Sequence, residues 1–401
     1  MSACAHKESD YNFEKIHSVK IDESKIVLSK FPSELTEIND STVGVIASQK
    51  LSLYNIYSGR NIANFSAQTI KFDSLIRETF QKKYSGKREY NYDPASAGGL
   101  KGGNCQLTSF YYSNNAFYIY VNTLAQVKYI NDSVGLAQYT ENDRVKEAQK
   151  KYGKDMHVKI MEFVEFIFVV DNDFHLKKII PLYENEQLKK DNYQPYYFKG
   201  FIINNDKMLF SILKRSEPVE KITSKMTPGK SYYTLADIGL ENDNDVNYKL
   251  SFKDVDFSDF SLHDYFSSAF VFQQNSNVLI MSTGKEIYNV ETGVRLFSKE
   301  HLKSNEWIQA FHYDNDKNLI AVTSCHFKKA HPTILEATYD IDSVGEIKIK
   351  MFEAKKSTWT DEKNIENKKN LSFLITKNKV VYFDKDKENY YFKYIKYYNE
   401  N

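Results

Sequence analysis

Tyr54-Asn55-Ile56-Tyr57-Ser58-Gly59 recurs further along the chain as Tyr288-Asn289-Val290-Glu291-Thr292-Gly293. Each copy follows a β-branched run, Val43 to Ser48 in the first case and Val278 to Thr283 in the second. Each precedes a short apolar run, Ile62 to Phe65 and Val294 to Phe297. The pattern is strand, strand, tight turn, strand, stated twice. An antiparallel unit of this kind buries its apolar faces by stacking on neighbours, so its repetition points to a β-propeller.

Composition supports an all-β chain. Of 401 residues, 41% are apolar and 15% aromatic, nearly all Tyr and Phe. Flat rings pack well on pleated surfaces. Lys and Arg number 54 against 53 Asp and Glu. Such a balance argues against a dedicated nucleic-acid binder, which needs a basic face to displace counterions from phosphates. No run reaches the roughly 18 apolar residues of a membrane span. Cys4, Cys105 and Cys325 have no zinc spacing and make no disulfide framework.

Working outward from the repeated phrase, the chain divides into six units. Phe13 to Ile21 reads as a lone strand, and a first unit runs from about Glu34 to Phe65. A helical interruption follows: Asp73-Ser74 can cap a segment carrying Ile76, Phe80 and Tyr84, with Gly86 as its stop. Residues 87–104 read as a loop. The second unit has strands at Leu107 to Tyr112, Ala116 to Val121, Ile160 to Val170 and Leu176 to Leu182. A second helical insertion, Glu141 to Tyr152, lies between its middle strands. The third unit reads as Tyr197 to Ile203, Met208 to Leu213, Ser231 to Ile238 and Val246 to Phe252. The fourth is Phe266 to Phe272, Val278 to Met281, Glu286 to Val290 and Val294 to Phe297. The fifth is Trp307 to Tyr313, Leu319 to Thr323, Ile334 to Tyr339 and Ile347 to Phe352. The last unit has only three strands, Leu371 to Ile375, Val380 to Phe383 and Tyr390 to Tyr397. The spare strand at 13–21 can complete it, removing the exposed sheet edges of an open ring. The expected fold is therefore an all-β, six-bladed β-propeller over residues 13–401, closed by an N-terminal strand, after a tether at 1–12. Seven blades result if the second unit is two.

The extreme N-terminus reads Met1-Ser2-Ala3-Cys4-Ala5-His6-Lys7. A small-small-Cys triplet followed by polar residues resembles the end of a bacterial lipoprotein signal, with Cys4 as the residue that becomes lipidated. With this context, the phrase Leu53 to Gly59, the glycine loop at 98–103 and the hairpin from Phe110 to Tyr120, the chain resembles the TolB-like, six-bladed β-propeller lipoproteins of Bacteroidetes, which include a family of unknown function. The resemblance implies a lipid-anchored location in the cell envelope and a binding or scaffolding role. It transfers no active-site residue. Without acylation at Cys4 the expectation is a cytoplasmic protein.

Candidate chemistry is sparse. Gly98-Gly99-Leu100-Lys101-Gly102-Gly103 lacks the Gly-Lys-Ser/Thr ending of a P-loop and reads as a connecting loop. Asp243 to Asp254 has Tyr248 where a calcium loop needs glycine. His312, His326 and His331 cluster without standard metal spacing. Glu162 and Glu165 lie three apart in one strand, so they face opposite ways and form no glycosidase pair with each other; one can still line the channel or pair with a lysine. Trp307, at the start of an innermost strand, and Trp359, in a loop before the last unit, are candidate ligand-binding aromatics together with His312. No catalytic residue, metal site or cofactor is assigned. The expected function is binding of a glycan, a peptide or an envelope protein through one propeller face, with the membrane reached only through the lipid anchor. The rival is a propeller hydrolase, lactonase or lyase, which needs three or more ionisable residues converging at one channel mouth.

Overall fold

Period-two alternation of apolar and polar residues makes each short strand bury one face or both, and the sheets stack where those faces meet. The computed structural model describes residues 11–22, 35–47, 50–92, 106–130, 150, 160–184, 193–195, 200–204, 207–214, 232–239, 255–256, 270–274, 277–282, 284–289, 292–314, 318–326, 344–365, 372–386 and 389–399. They form six antiparallel sheets arranged as a β-propeller. Cys4, Cys105, the glycine loop, the insertion around 141–149, the acidic loop at 243–254 and His331 lie outside the described residues.

The chain begins with β1 (Tyr11–Phe13) and β2 (His17–Lys20). The first sheet holds β3 (Leu35–Asn39), β4 (Thr42–Ala47), β5 (Lys50–Asn55) and β6 (Asn61–Ser66) in that order. The second holds β7 (Arg88–Tyr92), β8 (Gln106–Ser113), β9 (Ala116–Tyr129), β10 (Ile160–Asp171) and β11 (Leu176–Leu182). Its described strands form one sheet. The third holds β12 (Tyr193–Pro195), β13 (Phe201–Asn204), β14 (Lys207–Lys214), β15 (Tyr232–Gly239) and β16 (Val255–Asp256). The fourth is β17 (Phe270–Gln274), β18 (Asn277–Ser282), β19 (Glu286–Asn289) and β20 (Arg295–Phe297). The fifth is β21 (Glu306–Tyr313), β22 (Leu319–His326), β23 (Val344–Glu353) and β24 (Thr358–Ile365). The sixth has β25 (Phe373–Ile375), β26 (Lys379–Asp386) and β27 (Asn389–Asn399).

The sixth sheet is completed from the other end of the chain. Asn12 pairs with Tyr398 in β27, and Val19 pairs with Phe392. The expected closing strand is thus present, broken into two pieces around Glu14–Ile16. Innermost strands β3, β8, β13, β17, β21 and β25 follow one another around the ring. Between β17 and β21 the side chain of Gln274 does the joining: its amide donates to the Phe311 carbonyl at 2.9 Å and accepts from the Tyr313 amide at 3.0 Å. Apolar side chains fill the spaces between sheets, as with Val45, Tyr54 and Ile56 of the first sheet against Val381, Phe383 and Phe392 of the sixth.

Three local expectations need correction, and a fourth lies outside the described residues. Residues 88–92 are a strand rather than part of a loop. β9 is long enough to pair with β8 along its first half and with β7 along its second. Gln81 covers the other side of β7, accepting from the Tyr90 amide and donating to the Arg88 carbonyl, so that edge is occupied. The helical interruption, α1 (Phe72–Ile76) followed by a π turn over Arg77–Gln81, starts one residue before Asp73 and is preceded by Lys71 with no side-chain cap. Asp73 instead pairs with Arg77 at 2.8 Å. The third sheet carries β16 at Val255–Asp256, whereas the strand expected at 246–252 falls outside the described residues. In the fifth sheet, the strand read as fourth at Ile347 to Phe352 is the third, and Thr358–Ile365 is the fourth. Its sequence, Thr-Trp-Thr-Asp-Glu-Lys-Asn-Ile, is too polar to stand out as a strand because it is an outermost one.

Candidate functional site

The two ends of the ring are built differently. At one end lie the hairpin turns that leave the innermost strands, such as Asn114-Asn115, both in the left-handed region. Here the Tyr111 hydroxyl, near the end of β8, donates to Gln273 Oε1, near the end of β17, at 2.5 Å. These strands belong to the second and fourth sheets, which are not neighbours, so the bond crosses the interior of the ring at this end.

The starts of the innermost strands define the opposite end, and there β21 opens with Glu306 and Trp307. The Trp307 ring is half-buried and carries the Lys285 ammonium 4.4 Å from its centroid. Lys285 is fixed in turn by donating to the Ser304 carbonyl at 2.9 Å. Beside them Glu306, 1% exposed, takes a 2.6 Å bond from Lys350 of β23. Burial pushes the Glu306 carboxyl up, but bonds from Lys350, Thr323 and the Lys303 amide outweigh it, leaving the group below its ordinary range. The pair is therefore a fixed buried ion pair. Such pairs give little net stability, whereas removal of one partner strands the other charge.

The structure separates the three aromatic and histidine candidates. Trp359 is not in a loop but in β24, the outermost strand of the fifth sheet. Trp307 is in the innermost, three strands away and six residues off in register, since Trp359 lines up with Phe352, Leu319 and Tyr313 whereas Trp307 lines up with Ser324 and Ile347. The Trp359 indole donates to the His301 carbonyl at 2.7 Å and its ring packs on Phe297 and Phe352. Lys350, which pairs with Glu306, also holds its ammonium 5.1 Å from the Trp359 ring. His312 is five residues from Trp307 along the same strand, about 17 Å further toward the opposite end. Burial lowers its pKa, and Asp314 opposes that effect. Trp307 alone of the three stands with Lys285; Glu306, its neighbour in the strand, points to the opposite face.

Glu162 and Glu165 do point to opposite faces, and each takes a tyrosine hydroxyl. Tyr129 bonds Glu162, and Tyr120 bonds Glu165 Oε1 at 2.5 Å. Burial raises the Glu165 carboxyl to about 7, with the Tyr120 bond opposing. Among the described residues, the Asp171, Asp173 and His175 group has ligand atoms close enough to hold a metal ion. Asp173 and His175 are exposed and Asp171 is half-buried, the group sits at the turn between β10 and β11, and Lys177 already pairs with Asp171 at 2.8 Å.

Glu306, Lys350 and Tyr120 escape sequence reasoning. Glu306 and Lys350 meet because β21 and β23 flank β22, a relation no local motif encodes.

No known family pattern matches this chain, and no curated protein is similar to it. Among solved structures it is similar to a member of the DUF4221 family from Bacteroides vulgatus, with 11% identity, 98% of this chain and 100% of that one covered, and a TM-score of 0.47. It is also similar to a luciferin-regenerating enzyme, at 9% identity over 95% of each chain and a TM-score of 0.43. A third is the AfRom2 CNH domain, at 9% identity over 90% of this chain and 80% of that one, with a TM-score of 0.33. At these identities and TM-scores the likenesses carry no argument for a shared family, ligand or activity.

Proposed function

We propose that this chain is a six-bladed propeller, one blade per sheet, that binds a glycan, a peptide or a protein partner at the end of the ring where the innermost strands begin. The observation carrying this reading is Trp307, a half-buried indole on an innermost strand whose ring is braced by Lys285. A fixed aromatic surface beside a cation suits stacking on a sugar ring or a peptide side chain. The Tyr111–Gln273 bond across the far end supports entry from the Trp307 end. In the same proposal, acylation of Cys4 tethers the ring to the cell envelope.

Glycan and peptide arrays probed with the purified chain test the binding role. A hit must weaken at least about tenfold in Trp307→Ala, a loss within the range of an aromatic anchor. Ligand binding that ignores Trp307→Ala, or turnover of the bound molecule, sinks this reading in favour of a site elsewhere or an enzyme. Mass spectrometry of the mature N-terminus from the native host tests the tether: an unmodified Cys4 removes it.

A further inference from the structure

The turn that joins β10 to β11 gathers three side chains able to ligate a metal, and neither the ring's closure nor the Trp307 end uses them. Two contacts seat this turn on the hairpin of β8 and β9, at the end of the ring away from Trp307. Phe174, at φ 63°, packs its ring on Phe117 with 5.3 Å between centroids. Asn172 Oδ1 accepts from the Tyr112 hydroxyl at 3.2 Å. Asp171, Asp173 and His175 alternate with these anchors, the first half-buried and the other two exposed. Asp171 Oδ1 accepts from the amides of Asp173 and His175 at 3.0 and 2.8 Å, which holds both residues around its carboxylate. Its other oxygen, Oδ2, is 3.7 Å from His175 Nδ1. The ligand atoms of all three side chains lie within 4.8 Å of one another. Ligands about 2.1 Å from a common ion stand about 3 to 4 Å apart, so small side-chain rotations complete the set.

We propose that Asp171, Asp173 and His175 form a surface site for a divalent transition-metal ion such as Zn²⁺. One imidazole nitrogen with two carboxylates suits ions of borderline softness, whereas Ca²⁺ and Mg²⁺ take shells of oxygen. Each side chain supplies one ligand atom, Nδ1 in the case of His175, and water fills the remaining positions, so the ion exchanges freely. Lys177 is the internal competitor. Its ammonium lies 2.8 Å from Asp171 Oδ2 and leaves that oxygen when the metal enters. The Lys177 side chain is exposed, so it moves into water at little cost. The site is separate from Trp307 and stands or falls independently of it.

The probe is Zn²⁺ added to the full chain at about pH 7.5, because a metal competes with protons for its ligands. Binding is followed through the ring resonances of isotopically labelled His175, assigned with His175→Gln, which separates this site from the other histidines. Zn²⁺ shifts them saturably, and Mg²⁺ at the same concentration does not. Asp173→Asn weakens Zn²⁺ at least about tenfold, the smallest loss usual even for a ligand's outer partner. Lys177→Gln acts the other way and tightens Zn²⁺ about twofold to fivefold, the worth of an exposed ion pair. Asp173 and Lys177 are both exposed, so the two variants keep the fold. No saturable shift at His175, an equal response to Mg²⁺, Zn²⁺ affinity unchanged in Asp173→Asn, or affinity that fails to rise in Lys177→Gln overturns the proposal.

Discussion

The two copies of the repeated phrase fold into the same turn and live in different surroundings. In the first, Asn55 Oδ1 accepts from the amides of Tyr57 and Ser58 and from the Ser58 hydroxyl. In the second, Asn289 Oδ1 accepts from the amide and hydroxyl of Thr292. Gly59 and Gly293 both take positive φ, 71° and 65°, and each donates its amide to the asparagine carbonyl at 2.9 Å. The difference lies outside the turn. A Cβ on Gly59 would fall 1.9 Å from the Lys20 carbonyl oxygen, whereas one on Gly293 would meet nothing within 4 Å. The Asp22 amide also donates to the Gly59 carbonyl at 3.4 Å. The first turn is therefore a seat for the chain as it leaves the closing strand, and the second is a turn alone. Identical local chemistry was used once to reverse a hairpin and once to lock the ring as well.

The largest effect should separate the two glycines. Gly293→Ala carries only the strain of a left-handed alanine, about 1 kcal/mol. Gly59→Ala adds a backbone collision that must push residues 20–22 away, and should cost more than about 3 kcal/mol with early melting of β2. Urea unfolding of the two variants measures both, and equal losses would break the comparison.

Second in size is a pH effect that should strike both variants alike, because Glu165 is in the second sheet and remote from either turn. Its carboxyl lies at about 7 in the folded protein against an ordinary 4.5. The folded state keeps a proton that the unfolded chain releases, so the contribution is intact below pH 4.5 and is lost as pH rises toward 7. The slope is about 1.4 kcal/mol per pH unit, close to about 3 kcal/mol in all. Glu165→Gln should flatten stability over that window. A wild-type profile that is flat or rises over that window, or a fall of the same extent in Glu165→Gln, contradicts the assignment.

Smaller still is the asparagine pair. Asn55→Ala and Asn289→Ala each remove the side-chain bonds that hold a turn and should each cost about 1 to 2 kcal/mol in thermal unfolding. Asn289, 9% exposed, also donates to Asn277 at 3.3 Å, so its loss should be the greater. The smallest effect is expected at Tyr57, 43% exposed and edge-on to Tyr394 of β27. Tyr57→Ala should lose about 0.5 to 1.5 kcal/mol, the range of an aromatic pair, and a double-mutant cycle with Tyr394→Ala checks that this energy links the turn to the closure.

Much of the architecture was legible because strands announce themselves by alternation. Leu176–Leu182 was readable to the residue, and the closing strand was expected from a unit that came up one strand short. What escaped reading has a shared cause. Arg-Glu-Tyr-Asn-Tyr at 88–92 is polar where it faces solvent, and its buried Arg88 is neutralised by Glu184, 2.8 Å away and distant in sequence. Thr358–Ile365 is an outermost strand with only one apolar-facing side. Sequence reading placed Trp307 at the start of an innermost strand, because strands can be counted. It failed for Glu306–Lys350 and for Tyr120–Glu165 because both depend on pairing register. A one-residue slip would send those side chains to opposite faces.

Closure of the ring by residues 11–20 against 389–399 is the claim on which the comparison of the two turns rests. It is tested most directly by a disulfide across the closing pair. With the native cysteines replaced by serine, Ser18→Cys with Lys393→Cys joins directly opposed positions. Antiparallel neighbours stand about 4.5 to 5.5 Å apart at Cα, within disulfide reach. The account predicts an intramolecular bond, seen as a monomer whose mass is lower by two hydrogens. The shifted pair Ser18→Cys with Lys396→Cys should stay reduced. Reduced thiols in the first variant, bonds only between molecules, or equal oxidation of the two pairs would contradict it.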